Sequence, residues 1–141
     1  MAIKKIRTKN SGRWTDARFK SFIKSLLRAG TMRWGPKYDA IKLAFVKRAI
    51  NKKTGKLCKL HKCASCSDLF PQSAVKVDHI LPVVDPKVGF TTWDSYIARM
   101  FCEVENFQVL CVYCHDKKTK SERAVSKKRP TTKALRVRTR T

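Results

Sequence analysis

Between Thr15 and Gly30 the apolar residues Phe19, Phe22, Ile23, Leu26 and Leu27 recur at three- and four-residue intervals, and Arg18, Lys20, Lys24 and Arg28 take the other face. That period predicts an amphipathic helix from about Asp16 to Ala29, with Thr15 as its N-cap and Gly30 as its stop. A second helix is expected to start at Pro36, a residue favoured in a first turn, and to run to about Ile50 with Tyr38, Ile41, Phe45 and Ala49 inward. Asn51-Lys52-Lys53-Thr54-Gly55 reads as a turn. Val75 to Pro82 reads as a strand, and the face Tyr96-Ile97-Met100-Phe101 predicts a helix from about Asp94 to Phe101. From Ala124 to Thr141 no apolar period persists, so a polar, basic tail is expected to stay disordered until it meets phosphate.

Charge sharpens this picture. The 141 residues carry a formal charge of +23, unevenly spread. Residues 1–62 hold 19 Lys/Arg against 2 Asp/Glu, residues 63–116 hold 3 against 7, and residues 117–141 hold 11 against 1. An acidic middle between basic flanks suits a cation-binding core carried on phosphate-binding arms, because the two ligands demand opposite charges. The partner expected from such a balance is a polyanion, nucleic acid first. A membrane partner is set aside, since no apolar run approaches the roughly 20 residues of a spanning helix. Met1 to Arg7 lacks the apolar block of a secretory signal, which points to an intracellular, reducing compartment, the cytoplasm. Trp14 and Trp34 read first as packing beside the helices, with stacking on bases or sugars as the alternative.

In a reducing compartment paired cysteines favour metal over disulfide. Cys63-x-x-Cys66 and Cys111-x-x-Cys114 lie 45 positions apart, and four thiolates make a closed structural zinc site. A redox pair would call for one Cys-x-x-Cys beside a βαβ pattern, which is missing here. Cys58, His61 and Cys102 remain as spare candidates. Exchange of His61 for one of the cysteines stays open, and Cys102 is expected to pack.

Between the pairs stands Val75-Lys76-Val77-Asp78-His79-Ile80-Leu81-Pro82. Asn106-Phe107-Gln108-Val109-Leu110 leads into the second pair, and His115, Lys117, Lys118, Thr119, Lys120 and Glu122 follow it. Phosphodiester hydrolysis asks for a base near neutral pH, which imidazole supplies, and for a cation to offset charge on phosphate and leaving oxygen. Taken singly, Asp78-His79 reads as surface or core, His115 as a zinc ligand and Asn106 as a helix end. Their joint occurrence within a zinc frame favours a site.

Asp78-His79-Ile80-x-Pro82, Asn106-x-Gln108-x-Leu110-Cys111-x-x-Cys114-His115 and Lys118-Thr119 together resemble the HNH nucleases, over residues 63–122. Including the stretch from Trp93 to Cys102, the chain is similar to small bacteriophage members of that family. The resemblance implies an α+β fold: a ββα-metal (HNH) core stapled by the four-cysteine zinc site, preceded by two amphipathic basic helices. The organisation expected is a basic helical region over 1–57, the zinc-stapled nuclease core over 58–123 and the tail over 124–141. It further implies that His79 is the general base, that Asp78 and His115 hold a catalytic Mg²⁺ or Mn²⁺, and that Asn106 is a positioning residue. Lys117, Lys118 and Lys120 would grip phosphates, or form a solvated face. The function implied is endonucleolytic cutting of DNA, taken as double-stranded, leaving 5′-phosphate and 3′-hydroxyl ends. Homing and genome processing with phage packaging proteins are both consistent with it, as are nicking or double-strand cutting and any oligomeric state. A second class, a non-catalytic zinc-containing DNA- or RNA-binding protein, accounts for the charge and the cysteines but not for Asp78, His79 and Asn106. A toxin-like nuclease finds no receptor-binding or translocation segment here.

Overall fold

The computed structural model describes residues 3–130. The fold is α+β, with four α-helices and two small antiparallel sheets. The chain divides after Trp34 into two compact units. Among the described residues no helix is long and apolar enough to cross a membrane.

The first unit is a tight turn followed by a helix. Lys9 and Trp14 exchange backbone hydrogen bonds of 3.1 and 3.0 Å across a turn in which Asn10, Ser11 and Gly12 all have positive φ. Helix α1 (Asp16–Gly30) starts as expected, with the Thr15 hydroxyl accepting from the Arg18 N–H at 3.2 Å. It ends at Gly30, its expected stop, but not through a left-handed glycine cap. The Gly30 φ of −61° is right-handed, and the chain runs on into a 3₁₀ turn, Thr31–Arg33, whose first residue caps α1. Trp14 packs: its ring lies 5.1 Å from that of Phe22 and beneath the Arg18 guanidinium at 5.2 Å.

The second unit begins with helix α2 (Gly35–Ala44), which is shorter than expected. Phe45 to Ile50 form strand β1 instead, so Phe45 and Ala49 belong to no helical face. The cause is the turn that follows. Asn51 N–H donates to Lys56 O at 2.8 Å, Gly55 N–H to Asn51 O at 2.7 Å and Lys53 N–H to the Asn51 side chain at 2.9 Å, while Gly55 takes φ +69°. This reversal sets β2 (Leu57–Lys62) against β1 from Ile50↔Leu57 to Phe45↔His61, with one irregularity between Phe45 and Lys47. Pairing with β2 thereby overrides the helical reading of an apolar pattern that is locally ambiguous. β1 and α2 thus share a compact unit with the cysteines. Strand β3 (Leu69–Pro71) completes the sheet in the order β1-β2-β3.

Strand β4 (Val75–His79) ends three residues before Pro82, and β5 (Phe107–Cys111) pairs with it from Val75↔Cys111 to His79↔Phe107. Between them lie a loop and helix α3 (Trp93–Met100), whose N-cap Thr92 accepts from Ser95 N–H at 3.2 Å. Helix α4 (Val112–Lys127) follows β5 directly and extends into the segment expected to be a disordered tail. An i,i+4 pair, Lys118 to Glu122 at 3.5 Å, supports it. The remainder of that tail, residues 131–141, lies outside the described residues.

The core is small. Its central cluster is Cys63, Leu110, Cys111 and Cys114 with Phe70 against it, and Tyr96, Met100, Phe107 and Val109 are also buried. With so few large aliphatic side chains enclosed, apolar burial is a thin source of stability for this unit.

Two glycines should respond in opposite directions. Gly55→Ala puts a Cβ at φ +69° and is expected to cost about 1 kcal/mol, whereas a Cβ at Gly35, in the first turn of α2, meets nothing within 4 Å. Thermal unfolding of zinc-loaded protein should therefore show a lower midpoint for Gly55→Ala and an equal or higher one for Gly35→Ala.

Candidate functional site

Two constellations meet at the β5–α4 junction. The first is the cysteine cluster. The sulfurs of Cys63, Cys66, Cys111 and Cys114 all lie within 4.8 Å of one another, with Cys66 and Cys111 at 4.0 Å. Sulfurs around a tetrahedral zinc with bonds of about 2.3 Å would stand about 3.8 Å apart, so the cluster is compatible with a structural zinc. Backbone N–H groups already point at the sulfurs: Cys111 N–H donates to Cys63 Sγ at 3.3 Å, and Cys114 N–H to Cys111 Sγ at 3.4 Å as the N-cap of α4.

Local forces separate the thiols. Burial opposes ionisation of Cys63, yet the N–H groups of Cys111, Cys66 and Ser65 outweigh it and lower this thiol from 9.0 to about 6. Cys66 goes the other way. Although the Asp68 backbone favours its thiolate, desolvation and the sulfurs of Cys63, Cys114 and Cys111 push it up to about 12. Burial, first, also raises Cys111. Without a cation the cluster resists gathering four negative charges, and a divalent ion removes that resistance.

The spare candidates stay outside the cluster. His61 is 2% exposed on β2, its ring 6.2 Å from that of Phe45, and burial lowers its pKa, with the Phe70 backbone opposing. Cys102 follows α3, and burial raises its thiol. Cys58 sits on β2 opposite Ala49.

The second constellation is built by β4, β5 and α4. Asp78 and His79 end β4, and His115 lies in the first turn of α4, with His115 Nε2 3.9 Å from Asp78 Oδ1. His79 Nε2 is 3.0 Å from the Met100 carbonyl. A carbonyl only accepts, so this nitrogen carries the hydrogen and Nδ1 of the neutral ring keeps its lone pair. The Phe107 ring, 4.9 Å away, packs on the same imidazole. Asn106 does not end α3; it closes a separate 3₁₀ turn, Val104–Asn106. Its side chain accepts from Leu81 N–H at 2.9 Å, and its carbonyl accepts from Ile80 N–H at 2.8 Å. Asn106 therefore holds the loop that leaves His79.

Of the three lysines, Lys117 and Lys120 are exposed on α4. Lys118 is less exposed. Its ammonium turns inward to Asp78 Oδ2 at 2.5 Å and the His79 carbonyl at 2.6 Å, which corrects the expectation that it is free for phosphate. Sequence reasoning gave no role to Gln108, whose Nε2 donates to Asp78 Oδ2 at 3.0 Å across the register pair Asp78↔Gln108. The Met100 carbonyl was equally unforeseen. The strand alternation of β5 carries a signal for Gln108, since it faces opposite to the buried Phe107 and Val109. No residue type signals a backbone carbonyl.

Asp78 and His115 are brought together at the end of β4 and the start of α4. Their donor atoms approach each other, and the carboxylate already attracts an ammonium. His115 Nδ1 has no hydrogen-bond partner among the described residues and lies 3.8 Å from Asp116 Oδ1, so each ring nitrogen has a carboxylate within 4 Å. No protein-family model, curated protein or solved structure matches the chain.

The thiol ordering is measurable in metal-free protein over the conditions in which its circular dichroism matches that of the zinc-loaded form. Cys63 has a folded value of about 6 against an ordinary 9.0, so its thiolate favours the folded state above pH 9, progressively less below it, and not at all once the pH has fallen through 6. Thiolate absorbance should show one ionisation per chain near pH 6 ahead of the others, abolished by Cys63→Ser. A single step near pH 9 for all six cysteines would contradict the ordering.

Proposed function

We propose that the protein is a metal-dependent DNA endonuclease of the HNH, ββα-metal type, with a structural zinc in the four-cysteine cluster. The observation that carries the reading is the His79 imidazole: Nε2–H is held by the Met100 carbonyl, and a basic Nδ1 is left on a residue next to Asp78, whose carboxylate His115 approaches. An imidazole oriented through one nitrogen is suited to general-base catalysis through the other.

His79 Nδ1 takes a proton from the attacking water. Asn106 fixes the loop after His79 through Leu81, and Phe107 limits tilting of the ring. Asp78 and His115 would hold a Mg²⁺ or Mn²⁺, which when bound supplies positive charge to the phosphate and to the departing oxygen. Gln108 orients Asp78 from the opposite strand by donating to Oδ2. Lys118 offsets the Asp78 charge until a metal ion competes for it. The basic flanks add affinity for phosphate without regard to sequence, so binding should fall steeply with salt.

The Lys118–Asp78 pair also favours a second reading. A carboxylate neutralised by an internal ammonium has less need of a metal, as expected of a non-catalytic zinc module that binds DNA or RNA. One experiment separates the two. Zinc-loaded protein is expected to cut supercoiled plasmid only with added Mg²⁺ or Mn²⁺, and His79→Ala to lose on the order of 100-fold or more in rate with zinc content and DNA affinity retained. DNA binding without cutting under any metal would establish the non-catalytic module.

A further inference from the structure

Away from Asp78 and His115, α2 and the β1–β2 hairpin enclose a hollow lined by Tyr38, Lys42, Phe45, Arg48, Lys59 and His61, with Ile41 and Gln72 at its margin. Its charge is one-sided. Lys42, Arg48 and Lys59 have no ion-pair partner among the described residues, and no acidic residue lines the wall. Arg48 and Lys59 are also direct register partners across β1 and β2. Like charges set opposite each other on one sheet face disfavour the pairing unless something negative lies between them.

A second, independent feature lies in the same wall. His61 is 2% exposed, and its Nδ1 has no hydrogen-bond partner. Buried polar atoms are rarely left in that condition, and His61 is one of the residues that line the hollow. Phe45 and Tyr38 add an aromatic wall beside these cations.

We propose that this hollow is a phosphate site that grips a nucleic-acid strand, with Arg48, Lys59 and Lys42 as the phosphate contacts and His61 beneath them. The proposal rests on the preceding reading only in taking nucleic acid as the partner; it does not depend on cleavage. It adds a contact surface built by α2 and the hairpin to a site built by β4, β5 and α4.

The test is fluorescence anisotropy of a short labelled DNA duplex with the full, zinc-loaded chain, over a salt series. Arg48→Gln/Lys59→Gln is compared with Lys52→Gln/Lys53→Gln, which removes the same charge from the neighbouring turn. The expected result is a loss on the order of tenfold in affinity for the first variant, and a salt dependence shallower by about 2 in the log–log slope, one for each lost phosphate contact. Lys42→Gln should lower the slope by about 1. The control should lose less than the hollow variant in both affinity and slope. Equal affinity and slope for the two double variants would overturn the proposal. So would a chemical-shift response of His61 to inorganic phosphate combined with DNA binding that ignores Arg48 and Lys59, which would assign the hollow to a small phosphorylated molecule. Zinc content and thermal midpoint confirm that each variant is folded. A protein that binds DNA through this hollow and never cuts it would sink the nuclease reading and leave this one standing.

Discussion

Four sulfurs converging at a small core, three from buried cysteines and one from the exposed Cys66, are the constraint on which the second unit depends. Two come from the segment that leaves β2 and two from the junction of β5 with α4, so an ion among them would tie the three-stranded sheet to the β4–β5 pair and to the start of α4 at one point. Structural zinc contributes about 10–16 kcal/mol in small domains, comparable to the whole stability of an ordinary one. Here the buried set is mostly Cys63, Cys111, Cys114 and a few apolar neighbours, too small to fix those elements by burial alone. The same junction sets the candidate site. His115 follows Cys114 directly, and the Asp78↔Gln108 register lies three pairs from Val75↔Cys111.

Charge is distributed to match. In the acidic middle segment Asp78 draws Lys118 while Gln108 donates to the same oxygen. Other basic residues lie elsewhere, along α4 and around the hollow of α2 and the hairpin.

The parts legible in the sequence were those governed by short-range signals. Thr15 and the spacing of Phe19, Ile23 and Leu27 specify α1, and the two Cys-x-x-Cys pairs specify the cluster. Asp78, His79, Asn106 and His115 were legible as a set because the cysteines frame them. Strand β1 was not, because Phe45 to Ile50 has no helix- or strand-specific period and its state depends on a partner beyond the Asn51–Gly55 turn. The end of β4 at His79 is set by Asn106 taking the N–H groups of Ile80 and Leu81, the latter a contact between residues 25 apart in the chain. The continuation of α4 past Ala124 was hidden by a composition that reads as tail. Lys118 was misjudged because charge alone does not show which face of α4 meets β4.

The most direct test of the account is metal location by anomalous diffraction, from crystals of zinc-loaded protein soaked in Mn²⁺ and measured at both absorption edges. The account predicts zinc among Cys63, Cys66, Cys111 and Cys114 and manganese between Asp78 and His115, with Lys118 displaced from the carboxylate. Zinc liganded by His61 or His115 in place of a cysteine, or Asp78 still held by Lys118 with no manganese beside it, would contradict it.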